Sequence, residues 1–240
     1  MRRRAQVISA MQRLPSQFSS IQYAYAKAAR LIFALSIAFL LLVRIQTYVP
    51  VEMLTRDPAA IVISPFYYGA ISNLGVQLWT ATGVVCGLSA TLLYFIQGNR
   101  ESMHFLVAFG CLSILLGLDD LFMLHELVLP NNVGIHESVV ITSYAVTFLL
   151  CLFRFHRSIL KVQPHFFLLS VALLTFSVAF DVLPTGWLSN NNIYWIEDGS
   201  KFLGILVWFL YFFWASIRAV LLSIDHLLSE QSSKSQHQDI

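Results

Sequence analysis

Charged side chains are scarce in this sequence. Asp, Glu, Lys and Arg make up 12% of its 240 residues, about half of the roughly 25% that soluble domains carry. Hydrophobic residues make up 57% of the chain, and the mean hydropathy is +0.69. This balance excludes an ordinary soluble domain and predicts a polytopic membrane protein.

Cysteine and the familiar catalytic motifs are also scarce or missing. The three cysteines, Cys86, Cys111 and Cys151, each fall within an apolar run, where thiols behave as small hydrophobic groups. We therefore expect no disulfide framework. The sequence contains no Gly-rich phosphate loop, GxSxG, HExxH or CxxCH, so it lacks the usual signatures of nucleotide, serine-hydrolase, zincin and c-type haem sites.

Long apolar runs are abundant, and six of them approach the length of about 20 residues that a membrane-spanning helix needs. They predict an all-α, polytopic membrane helix bundle with six transmembrane helices. A basic arm (1–28) precedes the membrane domain (29–223), and a polar tail (224–240) follows it. The predicted spans cover residues 29–49, 74–97, 103–129, 137–155, 165–184 and 200–223.

The basic residues predict the orientation, since short cytoplasmic loops carry an excess of Lys and Arg. Of the fifteen Lys and Arg residues, twelve lie in or next to the terminal segments, the loop between the second and third spans, or the loop between the fourth and fifth. The three exceptions are Arg44, Arg56 and Lys201. Both termini are therefore predicted to be cytoplasmic. The basic arm is short and close to the bilayer, so anionic membrane lipids, not nucleic acid, are its expected partners.

Seven acids lie within or at the ends of the predicted spans, all toward the non-cytoplasmic side. Ionisable groups at membrane depth are costly and usually mark a site or an ion path. Residues seven apart share a helix face, which predicts one stripe for Asp119 and Glu126. The seven acids are Asp119, Asp120, Glu126, Glu137, Asp181, Glu197 and Asp198.

A divalent metal is the cofactor that this pattern favours. Carboxylates bind hard cations, and zinc, iron and manganese sites accept carboxylate or imidazole ligands. The string from Asp119 to Glu126 and the string Ile135-His136-Glu137 are joined by a short turn, so they are expected to lie side by side. The predicted metal ligands are Asp119, Asp120, His125, Glu126, His136 and Glu137.

Five further residues are predicted to support this site. Asp181 and Asp198 are candidates for proton transfer, and Arg44 for an ion pair with Asp119 or Asp120. Glu197 and Lys201 are four apart, the favoured order for a helical ion pair. Structural explanations stay open: acids in the first turn of a helix complement its dipole, and a histidine at the interface can simply satisfy a carbonyl.

Three functions fit the sequence. The first is a metal-dependent membrane enzyme, a hydrolase or oxidoreductase, that acts on a lipid or other amphiphile through a metal-bound water. The second is a non-catalytic subunit or assembly factor with a protein partner. The third is a cation- or proton-coupled carrier, although the inner halves of the spans carry few ionisable residues and no internal repeat is visible.

Small residues predict close helix packing in lipid. Gly83 and Gly87 form a GxxxG step in the second predicted span, and Gly110 and Gly117 lie seven apart in the third. We therefore expect the second and third spans to pack tightly against each other.

Overall fold

The structure is a computed structural model that describes residues 27, 30, 31, 33–55, 61–65, 67–182 and 190–236, without the side chains of 52, 55, 181–194 and 230–236. Every regular element in these ranges is a helix, which confirms the all-α class. The chain divides into two units. The first, up to Tyr68, contains α1 (Phe33–Ile45) and α2 (Val51–Thr55).

The second unit, Gly69–Lys234, contains the long helices. They are α3 (Ala70–Phe95), α4 (Arg100–Phe122), a π-helix (Leu124–Val133), α5 (Glu137–Leu160), α6 (Pro164–Val182) and α7 (Asn190–Gln236). Four helical segments are long and apolar enough to span a membrane: α3, α4, α5 and the Trp195–Ser229 part of α7. These segments mark the chain as an integral membrane protein.

The first and fifth predicted spans contain shorter apolar helices, Phe33–Ile45 and Pro164–Phe180. The six-span arrangement and the cytoplasmic termini stay predictions. The last helix is longer than predicted at both ends, because no proline interrupts residues 190–236. It continues into the segment that was predicted to be a tail. The basic arm lies almost wholly outside the described residues.

The third predicted span, 103–129, is continuous α-helix only in its first part. Continuous α-helix ends at Phe122, because Met123 adopts a left-handed backbone conformation with φ 50°. A ten-residue π-helix follows and contains Pro130. Residues beyond Met123 therefore do not continue the helical face of α4, and the predicted common stripe of Asp119 and Glu126 does not form.

Gly83, Gly110 and Gly117 bring α3 and α4 into close contact, as predicted. Gly87 does not take part, since no described atom would lie within 4 Å of a Cβ there. A Cβ atom on Gly110 would lie 2.9 Å from Cys86 Cβ, and one on Gly83 would lie 2.4 Å from the Ile114 side chain. On Gly117 it would lie 2.9 Å from Trp79 Cβ. Larger residues at these three positions would force the helices apart.

The core beneath the glycine contact is aromatic. Phe109 packs against Phe212 and Trp208 with ring centroids 5.1 and 5.7 Å apart, and Phe167 lies 5.6 Å from Trp208. The buried Trp208 donates its indole N–H to Ser113 Oγ at 3.0 Å. This core fixes α7 against α4 and so sets where the acidic end of α4 meets α7.

Candidate functional site

Among the acids of the cluster whose side chains are described, Asp119 is the most buried, with 4% of its surface exposed. Its Oδ1 accepts the backbone N–H of His125 and the hydroxyl of Tyr144, both at 3.0 Å. Its Oδ2 contacts Nδ1 of the His125 ring. One carboxylate thus joins the last turn of α4, the π-helix and α5.

Local backbone geometry makes this arrangement possible. The left-handed conformation of Met123 changes the path of the chain just after α4, and the Met123 N–H donates to the Asp119 carbonyl oxygen. The turn brings His125 back over Asp119, whose side chain satisfies a backbone N–H at the start of the π-helix. Such an N–H has no partner within its own helix, so an acceptor side chain stabilises the break.

Asp120 forms a second, separate network. Its Oδ1 lies 2.7 Å from Lys201 Nζ on α7, and its Oδ2 accepts the indole N–H of Trp79 on α3 at 3.0 Å. The Asp120 side chain is 11% exposed and that of Lys201 40%. Trp79 also packs edge-on against Trp208 at 5.7 Å. Asp120 therefore connects three of the four membrane-spanning helices.

His125 lies between two carboxylates, those of Asp119 and Glu126. It lies in the π-helix, outside the four spanning segments, and its side chain is 17% exposed. The hydrogen bond with Asp119 raises the pKa of His125 above its ordinary value, against the opposing effect of partial burial. Nε2 lies 3.5 Å from Oε1 of Glu126, whose side chain is 53% exposed. Nδ1 is therefore held by the buried carboxylate of Asp119, and Nε2 faces the exposed carboxylate of Glu126.

The remaining predicted residues have other surroundings or lie outside the described side chains, although the charge of Asp198 acts on Lys201 of the Asp120 network. His136 caps α5, since its Nδ1 accepts the Ser138 N–H at 3.3 Å. Glu137 lies in the first turn of α5 and Asp198 is exposed on α7. The Asp181 side chain falls outside the described part of the chain, and Arg44 belongs to the first unit.

The predicted metal set is not assembled as one site. Asp119 and Asp120 face different partners, and the Lys201 ammonium occupies the position beside Asp120 where a cation would bind. Among the described side chains, no group of three His, Cys, Asp or Glu residues is placed to hold a metal ion. The metal stays a prediction that this donor geometry does not support.

The sequence did not indicate three partners of the acids. Trp79 and Tyr144 supply the neutral donors, and Lys201 lies against Asp120. The ion pair of Lys201 with Glu197 stays a prediction. A signal existed for Trp79, because an indole N–H within a span needs an acceptor. A similar need applies to the Tyr144 hydroxyl.

Comparison with curated proteins gives no match, and neither does comparison with solved structures. One family does match: the domain of unknown function DUF8692 aligns with residues 29–215. The match covers α1 through most of the apolar part of α7, including both acidic networks. Because it spans more than half of the chain, the protein belongs to the DUF8692 family.

Proposed function

We propose that this membrane protein is an enzyme in which His125 and Asp119 transfer a proton to or from an amphiphilic substrate at the membrane surface. The observation that carries the proposal is the contact of Asp119 with Nδ1 of His125. A carboxylate at Nδ1 keeps the proton on that nitrogen, so Nε2 is the basic atom. Nε2 is then the atom that accepts and returns the substrate proton.

The other contacts of Asp119 support this role. The Tyr144 hydroxyl and the His125 N–H both donate to Oδ1, which holds the carboxylate with Oδ2 at Nδ1 of His125. The Asp119 carboxylate stabilises the imidazolium that forms when Nε2 takes a proton. Positioned acid–base groups of this kind typically contribute about 10²- to 10⁴-fold to a rate.

The surroundings of the pair favour an amphiphile as the substrate. Phe122 and Leu127, on either side of His125 in the sequence, are 56% and 46% exposed apolar side chains. Glu126 adds an exposed carboxylate beside Nε2. A substrate with an apolar chain and a polar reacting group would match these apolar side chains beside a polar ring nitrogen. The charge pattern favours the non-cytoplasmic side of the membrane.

The experiment is an untargeted comparison of lipids. Purified protein in nanodiscs made from a total lipid extract is incubated beside His125→Gln and Asp119→Asn, and lipids are identified by mass spectrometry. We expect one lipid class to be consumed by the wild type and at least about 100-fold more slowly by His125→Gln. The mass of the product identifies the bond that changes.

His136→Asn is the matched control, because asparagine keeps the helix cap and His136 lies outside the Asp119 network. Its turnover should equal that of the wild type. A parallel series with a chelator, followed by added zinc, iron or manganese, tests the metal-dependent alternative directly. Equal lipid profiles in wild type and His125→Gln would contradict the enzyme proposal.

A non-catalytic subunit or assembly factor is the second candidate, and Asp120 favours it. This acid is fully engaged by Trp79 and Lys201, so its presence in a span is explained by helix assembly alone. Under this alternative, one stoichiometric protein partner would co-purify, and function in the cell would survive His125→Gln. No observation on the described residues favours the carrier.

A further inference from the structure

A second site lies at the opposite end of the α3–α4 pair from the acidic networks. A cavity of about 810 Å³ opens at the turn that joins the two helices. Its apolar wall includes Leu93, Phe95 and Met103, and its polar residues include Arg100 and His104. No acid lines it.

The two basic residues are available to a ligand. Arg100 and His104 are one helical turn apart on α4 and both are exposed. Within the described part of the chain, neither forms a salt bridge or a side-chain hydrogen bond. The acid that follows Arg100 in the sequence, Glu101, accepts a hydrogen bond from Ser158 on α5 at 3.3 Å and does not line the cavity.

The turn that forms the floor of the cavity is held by the fold. Gln97 adopts a left-handed conformation with φ 52°. A Cβ on Gly98 would lie 2.8 Å from Ser223 Oγ on α7, and the same hydroxyl accepts the Asn99 N–H at 3.3 Å. The cavity is therefore built on three packed helices and does not depend on an unsupported loop.

We propose that this cavity binds an anionic phospholipid, with the phosphate at Arg100 and His104 and the start of an acyl chain along Leu93, Phe95 and Met103. Both spanning helices end here, so the cavity lies at the level where headgroup and chain meet. The exposed Tyr94 at its rim is of a type enriched at this level. The Arg100 cation, which has no acidic partner among the described residues, and the imidazole of His104 lie beside an apolar wall, a combination complementary to such a lipid and not to a neutral one.

The test measures lipid binding to the full-length protein in detergent. Native mass spectrometry reports the affinity for phosphatidylglycerol and for phosphatidylcholine of the same chain length, in wild type and in Arg100→Gln, His104→Gln and the double variant. We expect phosphatidylglycerol to bind more tightly than phosphatidylcholine. Arg100→Gln should weaken phosphatidylglycerol binding about fivefold, and the double variant should lose the preference.

Arg157→Gln is the matched control, since Arg157 is an exposed arginine in the last turn of α5 that does not line the cavity. Its affinity should match that of the wild type. An equal loss in Arg157→Gln would show diffuse surface attraction and overturn the proposal. Unchanged binding in the double variant would overturn it as well. So would equal binding of glycerol phosphate, because the apolar wall would then play no part.

Discussion

Replacing Asp120 by asparagine tests whether the contact with Lys201 stabilises the bundle. The variant keeps an acceptor for the Trp79 N–H but leaves the Lys201 ammonium without its carboxylate, 2.7 Å away in the wild type. Breaking a buried ion pair costs about 3–5 kcal/mol, and exposed pairs contribute about 0.2–1 kcal/mol. Because Lys201 is 40% exposed, we expect a loss of about 2 kcal/mol in the free energy of unfolding.

Lys201→Met should cost more, about 3 kcal/mol, because it strands a carboxylate that is only 11% exposed. The double variant should be less destabilised than the sum of the two by at least about 1 kcal/mol. Unfolding by added dodecyl sulfate, followed by tryptophan fluorescence, measures all three values. Asp225→Asn, an exposed acid on the same helix, should change stability by less than about 0.5 kcal/mol. A coupling energy near zero would refute the reasoning.

Three further predictions follow from the other contacts. Since the pKa of His125 is raised, its bond to Asp119 stabilises the fold fully below pH about 6.5 and weakens as pH rises through the raised value. Protection of the π-helix amides from hydrogen exchange should therefore fall as the pH rises through the pKa of His125. The same amides in His125→Gln should show no such fall. Tyr144→Phe removes a donor to Asp119 and should cost about 1.5 kcal/mol in dodecyl sulfate unfolding. Gly110→Ala places a Cβ 2.9 Å from Cys86 Cβ and should cost about 1–3 kcal/mol in the same assay.

The helical class, four of the six predicted spans and the α3–α4 contact follow directly from the sequence. Apolar length alone predicts a spanning helix, and glycines at positions such as 83, 110 and 117 permit close approach. These properties depend on local composition. The end of α4 does not depend on local composition in this way, because the residue with the left-handed conformation is Met123. Neither a glycine nor a proline marks that turn in the sequence.

The sequence indicates which ionisable residues belong to the candidate site, but not which side chains they contact. Asp119, Asp120 and His125 stand out in the sequence because ionisable groups at membrane depth are costly. Their partners depend on how α3, α5 and α7 pack around α4, which helical spacing within a single span does not encode. From the sequence alone, Trp79 and Tyr144 are typical apolar or interfacial residues. The fold places each of them beside one of the two carboxylates.

The central claim is that Asp119 holds His125 as a proton-transfer pair, and a nitrogen NMR titration tests it most directly. The ring nitrogens of His125 are followed from pH 5 to 10 in ¹⁵N-histidine-labelled protein in nanodiscs, with His125→Gln used for assignment and Asp119→Asn for comparison. The account predicts that the neutral ring carries its proton on Nδ1, and that the titration midpoint of His125 falls toward its ordinary value in Asp119→Asn. The same midpoint in both proteins, or a neutral ring protonated on Nε2, would contradict it.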